Sequence, residues 1–466
     1  MHLDPAITRR PVPAGFLDAL GRRFGAQCDT GEAIRAQHGQ SEAHFPTVLP
    51  DAVVFAQSTA DVADLVRLCV DAQVPIVAFG AGTSLEAHTS PIHGGVTLDM
   101  TAMNRIVAVH AEDFDCTVEA GVRREELNAH LRDTGLFFPI DPGANATIGG
   151  MAATRASGTN AVRYGTMREA VLNLTVVTPE GRVIRTARRA RKSAAGYDLT
   201  RLYIGSEGTL GIITEVTLRL HPIPETISAA VCPFATLRGA VDTVVQASQL
   251  GVPLARVELL DDMQIRAVNR RAGLGLPETT HLFFEFHGSP AGVEEQVATV
   301  SALTAENGGG DFHWSNLPEE RARLWKARHE AYYAAVGMRE GAVGWTTDVC
   351  VPISRLPDCI EATKADLATC SVPATIVGHV GDGNFHVIFA LDADSEAELE
   401  EVAAINARLV ERALEMDGTC TGEHGIGLGK QPWLVRELGD AVDVMRSVKR
   451  ALDPADLFNP GKIFAL

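Results

Sequence analysis

The residues best equipped for chemistry lie in Gly378-His379-Val380-Gly381-Asp382-Gly383-Asn384-Phe385-His386, where two histidines flank a turn built almost wholly of Gly, Asp and Asn. Apolar runs at Ala374–Val377 and Val387–Leu391 bracket it, so the segment reads as a β-hairpin with an imidazole on each strand at its mouth. A carboxylate follows at Glu423, in Gly422-Glu423-His424-Gly425. Two neutral imidazoles and one anionic oxygen are the ligand set of a divalent metal site with open positions. Satisfied core histidines are the plain alternative, and these residues alone leave both readings open.

A chain of 466 residues, 46% apolar and 21% charged, can bury a large core and divides naturally into two or three domains. The net charge of −18 and pI near 5.3 exclude nucleic acid as a partner, because phosphate would be repelled, and require local positive groups for any anionic substrate. The eight cysteines (28, 69, 116, 232, 350, 359, 370, 420) form no Cys-x-x-Cys pair and read as reduced core thiols of a cytosolic protein. Residues 1–20 hold Asp4, Arg9, Arg10 and Asp18 and no apolar run of signal length. No segment approaches the roughly 20 uninterrupted apolar residues of a membrane span. The expected place is the cytoplasm, with any membrane contact peripheral, at the inner membrane.

The elements that must position these residues follow from periodicity. A helical lead-in over 14–40 precedes a strand at Ala52–Ala56, and Ser58 with Asp61 opens a helix whose apolar face is Val62, Leu65, Val66, Cys69 and Val70. The strand Pro75–Phe79 runs into Gly80-Ala81-Gly82-Thr83-Ser84, a loop whose backbone N–H groups and hydroxyls could cradle a phosphate or simply make a turn. Strands at 96–99, 106–109 and 116–119 and a helix at 124–132 imply an α+β arrangement. The stretch Pro142–Ala153, with Ser157-Gly158 beyond it, has so little bulk that another backbone or a flat ligand must come close. After Pro222 and Pro224 the segments lengthen into amphipathic helices near 236–250, 290–306, 319–335 and 356–369. Strands near 254–259, 281–287, 343–351, 374–380 and 385–391 alternate with them, reading as helices packed on an antiparallel sheet.

The Gly80–Ser84 loop, the Pro142–Gly150 stretch, Lys192–Asp198 and Gly205–Gly211 resemble the FAD-binding domain of the vanillyl-alcohol-oxidase (PCMH-type) flavoproteins. Gly378–His386, Thr421–Gly427 and Asn459-Pro460-Gly461-Lys462 are similar to the FAD-linked oxidase C-terminal domain of D-2-hydroxyacid dehydrogenases. The likeness runs from about residue 46 to the end, with several motifs in order. It is nearest to the cytochrome- or quinone-linked D-lactate dehydrogenases, with glycolate oxidase catalytic subunits and D-2-hydroxyglutarate dehydrogenases as relatives. The resemblance implies an α+β protein in which 1–223 form a PCMH-type FAD-binding domain, with the lead-in at 1–45. It implies an α+β substrate (cap) domain with an antiparallel sheet over 224–424, and a segment over 425–466 packing back on the first domain.

It also implies roles. Gly80, Ala81, Gly82, Thr83 and Ser84 would hold the pyrophosphate of FAD, with Pro142, Gly143, Thr147, Gly149, Gly150, Ser157 and Gly158 along the dinucleotide. Glu207, Gly208 and Ile213 would lie near the adenosine and Asn459 near the isoalloxazine. The FAD would be non-covalent, since the only histidines beside the loop are His88 and His93. His379, His386 and Glu423 become ligands for Zn, Mn or Fe, His424 the base that takes the substrate hydroxyl proton, and Arg328 the partner of its carboxylate. For Arg328 the residues alone favour a solvated helix face. With Thr346 and Tyr332 but no spare cation in the expected pocket, a short monocarboxylate such as D-lactate fits better than a dicarboxylate. Electrons would leave for an external quinone, cytochrome or electron-transfer flavoprotein, and a homodimer stays open. A flavin-free non-haem metal enzyme would not need the glycine-rich first 220 residues, and a catalytically idle subunit would not keep His424.

Overall fold

The fold is that of a computed structural model, which describes residues 8–40 and 44–466. The remaining residues of the expected 1–45 lead-in lie outside the described ones; within it stand helices Phe16–Phe24 and Glu32–Gly39. Helices and largely antiparallel sheets occur together, an α+β architecture. The chain forms two compact units. One takes the chain up to Ser157, then Thr166–Pro222 and Glu423–Leu466; the other takes Gly158–Gly165 and Ile223–Gly422. The eight residues 158–165, from the midst of the small-residue stretch, thus leave the unit that surrounds them in sequence. They do so because Arg163 donates to the carbonyls of Pro253 and His287, at 2.7 and 3.1 Å, and Tyr164 bonds His287 Nδ1.

Among the described residues the first unit carries two larger sheets and a two-stranded antiparallel pair, Leu136–Phe137 with His221–Pro222. A four-stranded sheet runs Cys28–Asp29, Ala52–Phe55, Val96–Asp99, Ile76–Phe79, its last three strands parallel. A five-stranded antiparallel sheet runs Ile106–His110, Asp115–Glu119, Ile212–Arg219, Val171–Val177, Val183–Arg185. Parallel strands need a covered crossover, and helix Thr59–Ala72 supplies it. Ser58 Oγ accepts from the Asp61 N–H at 3.2 Å and closes its start, while Val62, Leu65, Val66 and Cys69 are buried on one face. At about 1.5–3 kcal/mol for each large apolar side chain, that face rather than helix propensity holds the crossover down. The tail returns to the same sheet: Ile76 donates to the Leu457 carbonyl and accepts from the Asn459 N–H, both at 2.8 Å.

The second unit is built on one antiparallel sheet in the order His313–Ser315, Thr226–Phe234, Thr280–Gly288, Leu254–Leu260, Ala374–Gly378, Asn384–Leu391, Val343–Thr346. Phe283, Leu260, Val377 and Ile388 on one face meet Ile265, Val268, Ala331 and Ala335 of the covering helices, with Trp325 at the side. Two expected elements are divided. The helix expected over 319–335 is Pro318–His329 followed by Ala331–Val336, with its hydrogen bonds continuing through Glu330. The strand expected over 343–351 is Val343–Thr346 and Val349–Cys350. It breaks at Thr347 and Asp348 because the Asp348 carboxylate turns inward to accept from Asn384 and Thr421.

Candidate active site

The hairpin forms as its turn chemistry requires. Strand Ala374–Gly378 ends, the Asp382 N–H reaches the His379 carbonyl at 3.0 Å, and Asn384–Leu391 returns. Gly383, at φ 81°, sits where a Cβ would fall 2.1 Å from the Val351 carbonyl oxygen, so only glycine fits.

Both imidazoles are anchored through Nδ1. His379 Nδ1 lies 2.7 Å from Glu258 Oε1, and His386 Nδ1 donates to the Thr347 carbonyl at 3.0 Å, with Asp348 Oδ1 3.6 Å away. The rings stand edge to face with centroids 5.5 Å apart. An Nδ1 proton given to a carbonyl or carboxylate leaves the lone pair on Nε2, so both rings are held in the tautomer a metal ligand needs.

Register explains how Glu258 meets His379. Leu259 pairs with Gly378 and Leu260 with Val377, and one step further along that antiparallel ladder sets Glu258 against His379. Glu258 is fully buried. Its other oxygen, Oε2, accepts from Arg328 Nε at 2.7 Å and lies 2.5 Å from Nη2. Arg328 is 8% exposed, so it does not sit on a solvated helix face. With Glu258 on the Nε edge, Nη1 has no partner among the described residues, and the end of the guanidinium remains available to an anion.

Asp348, also buried, accepts from Asn384 Nδ2 at 2.8 Å and from Thr421 Oγ1 at 2.7 Å. Gly422 packs so closely here that a Cβ would come 2.2 Å from Asn384 Nδ2. The chain is therefore clamped immediately before Glu423 and His424, which are the first residues of the segment belonging to the other unit. Sequence reasoning missed Glu258, Thr347 and Asp348. The signal for Glu258 was a lone acid in the apolar strand Leu254–Leu260.

In the first unit the Gly80–Ser84 loop follows strand Ile76–Phe79 directly. Thr147 caps helix Ile148–Thr154 with Oγ1, and a Cβ on Gly80 would fall 2.3 Å from that oxygen. A Cβ on Gly149 would fall 2.5 Å from the Ala120 Cβ, and its N–H donates to the Ala120 carbonyl at 2.8 Å. Ser84 Oγ is buried and has no partner among the described residues. A cavity of about 550 Å³ opens beside Gly80–Gly82, lined also by His38, Phe79, Asp99 and Arg123. An orphaned hydroxyl on a glycine loop next to a helix start fits the diphosphate of FAD. Gly143 borders open space, while Pro142 and Ser157 lie in the same unit; Gly158 begins the segment that belongs to the other.

Glu207 and Asn459 hold one another's surroundings. Asn459 Nδ2 donates to the carbonyls of His88 and Glu207, at 2.9 and 2.7 Å. The Glu207 carboxylate takes the N–H groups of Ile426 and Gly427, at 2.7 and 2.9 Å, with His88 Nε2 3.4 Å away. Burial works against the charge of Glu207, yet His88 and those N–H donors bring its carboxyl below the ordinary range. Gly208 adjoins it at φ 72°, and Ile213 is a buried residue of strand Ile212–Arg219.

A family model of FAD linked oxidases, C-terminal domain, matches residues 223–463, and one of an FAD binding domain matches 50–187. The chain is 53% identical to a probable mitochondrial D-lactate dehydrogenase of Danio rerio, over 94% of this chain and 88% of that one. It is 48% identical to a mitochondrial D-lactate dehydrogenase [cytochrome] of Arabidopsis thaliana, over 97% and 81%. A solved p-cresol methylhydroxylase superposes with a TM-score of 0.82 over 98% of this chain and 99% of that one, at 17% identity, and shows the fold. Both relatives are mitochondrial by name, and the expectation of a cytoplasmic protein is corrected on that ground. Reduced thiols and an acidic chain do not distinguish the two compartments. Among the described residues no helix is long and apolar enough to cross a membrane. Matched over both parts of its length, the chain belongs to the FAD-linked oxidases, in the family of the D-lactate dehydrogenases, and carries their PCMH-type FAD-binding fold.

Proposed function

We propose that this protein oxidises a short D-2-hydroxy acid, D-lactate first among them, to the 2-oxo acid and passes the electrons to an external acceptor. The observation that carries the reading is the pair of Nδ1-anchored histidines beside a buried arginine, within the C-terminal domain of an FAD-linked oxidase. FAD, when bound, supplies an acceptor for the hydride on the substrate α-carbon. A divalent metal on His379, His386 and Glu423 would supply Lewis acidity that lowers the pKa of the substrate hydroxyl. Zn, Mn and Fe all accept that ligand set.

The chain's own residues do the rest. Arg328 binds the substrate carboxylate with its Nη1–Nη2 end, the Nε edge being committed to Glu258. That fork orients the acid in a protein whose net charge of −18 would otherwise repel it. His424 takes the hydroxyl proton as the carbonyl forms, so the substrate loses one proton and one hydride. Gly80, Gly82 and Ser84 hold the diphosphate of FAD, with Thr147, Gly149 and Gly150 at the adjoining helix start.

A monocarboxylate fits better than a dicarboxylate. Arg256, two residues from Glu258 and on the same strand face, is engaged by Asn160 at 3.0 Å and Glu285 at 3.4 Å. Glycolate is the second reading, supported by the same single carboxylate site. The external acceptor is a cytochrome in the first instance, as in the name of the Arabidopsis relative, with a quinone or electron-transfer flavoprotein as alternatives. Anaerobic mixing with D-lactate, L-lactate, glycolate and D-2-hydroxyglutarate tests the reading: D-lactate should bleach the flavin fastest. If none of the panel bleaches it, the dehydrogenase reading fails.

A further inference from the structure

The carboxylate of Glu258 divides its two oxygens between groups with different work. Oε1 takes His379 Nδ1 at 2.7 Å, and Oε2 takes Arg328 Nε at 2.7 Å. An ion pair that served stability alone would meet the guanidinium with both oxygens, the favoured fork-to-fork geometry. Here one oxygen is withheld from the arginine and directed to an imidazole. The two partners come from distant places, a helix ending at His329 and the turn after Gly378, and the strand bearing Glu258 reaches both.

We infer that Glu258 is a positioning residue that couples metal retention to substrate-carboxylate recognition. This inference rests on the metal and substrate roles proposed above for His379 and Arg328. Through Oε1 it keeps the proton of His379 on Nδ1 and the lone pair on Nε2. Through Oε2 it occupies the Nε edge of Arg328 and fixes the plane in which the remaining Nη1–Nη2 end is offered. Full burial makes both constraints firm, since no water competes for either oxygen.

Glutamine at this position separates the roles without changing the volume. Its amide has one oxygen and one NH2 group. If the oxygen stays with Arg328, the NH2 faces His379 Nδ1, which must then accept, moving the ring proton to Nε2 where the metal would bind. If the amide turns over, the NH2 faces the guanidinium instead and Arg328 loses its fixed plane. Either orientation spoils one of the two functions, whereas the carboxylate serves both.

The test uses the FAD-loaded full chain, stripped of metal, and titrates Zn2+ and Co2+ against a chromophoric chelator. Wild type should take up one equivalent, and Glu258→Gln, at unchanged flavin content, should either bind metal about 10- to 100-fold more weakly or show a raised KM for D-lactate at saturating metal. In steady state with D-lactate, excess metal should restore the kcat of Glu258→Gln where the metal site is the function lost, and leave a raised KM where Arg328 is, because metal cannot reorient Arg328. Should Glu258→Gln fail to fold with its guanidinium unpaired, the double variant E258L/R328M removes both charges and leaves the His379 Nδ1 proton without its acceptor, so it must show weakened metal binding. Wild-type metal affinity together with a wild-type KM in folded Glu258→Gln overturns the inference, as does unchanged metal affinity in E258L/R328M. A wild type that takes up no metal at all is a separate result: it overturns the metal reading itself, and the coupling falls with it.

Discussion

Gly80 and Thr147 touch across the flavin loop: a Cβ on Gly80 would stand 2.3 Å from Thr147 Oγ1, the oxygen that caps helix Ile148–Thr154. Gly80→Ala should therefore displace the cap, at about 0.5–2 kcal/mol, and shift the loop proposed to hold the phosphates. The flavin-to-protein absorbance ratio of the purified variant should fall. The double variant G80A/T147A, which removes the obstructing hydroxyl, should recover part of it. A single variant that purifies with full flavin would show that the loop has slack.

Asp348 ties two separate segments together by accepting from Asn384 and from Thr421. Asp348→Ala removes the acceptor of the Thr421 hydroxyl and of one of the two hydrogen bonds from Asn384 Nδ2, whose other partner is the Val349 carbonyl, so a loss of roughly 1–3 kcal/mol in stability is expected from denaturant unfolding. Because Thr421 is clamped two residues before Glu423, metal affinity should drop as well. Thr421→Val, which removes one donor and leaves Asn384 paired, should lose less on both counts. Equal stability of wild type and Asp348→Ala would mean that the clamp carries nothing.

His424 is proposed as the proton acceptor, and His424→Ala should keep FAD and metal while turnover falls by about 10²- to 10⁴-fold. Turnover close to wild type would remove the base assignment. Chelation followed by dialysis addresses the metal separately: activity should disappear while flavin absorbance stays, and return with Zn2+, Mn2+ or Fe2+. Activity indifferent to the chelator ends the metal reading and leaves FAD untouched.

Lys462 gives a pH signature away from the proposed metal ligands. Its ammonium donates to the Ser90 carbonyl at 2.6 Å, and burial pushes its pKa down to about 7, with Glu207 opposing in part. The unfolded chain keeps that proton up to its ordinary lysine pKa. Between about pH 7 and 10.5 the unfolded state therefore binds more protons than the folded one, and this group makes stability rise with pH across that window. At roughly 1.4 kcal/mol per unit the rise amounts to a few kcal/mol. Urea unfolding from pH 7 to 10 should show a slope in wild type that Lys462→Met lacks. Parallel pH profiles would mean that the ammonium is not strained by burial.

What could be read from the chain alone was local. The hairpin at Gly378–His386 follows from a Gly/Asp/Asn turn between apolar runs, and the helix at Thr59–Ala72 from Ser58, Asp61 and a 3.6-residue apolar period. The glycine-rich loops after strands followed from backbone permissiveness in the same way. These signals depend on neighbours a few residues apart, and periodicity records them. The character of the site depended on pairings that periodicity does not record. Glu258 lies 121 residues from His379, and only the ladder of Leu259 with Gly378 brings them opposite each other. Arg328, expected from its neighbours Lys326 and Glu330 to face solvent, is buried because that same glutamate waits beneath it. Alternation along a strand tells which side a residue faces. Which strand lies beside it, and in what register, is decided when the sheet assembles, and that decision gives each histidine its tautomer and the arginine its one free end.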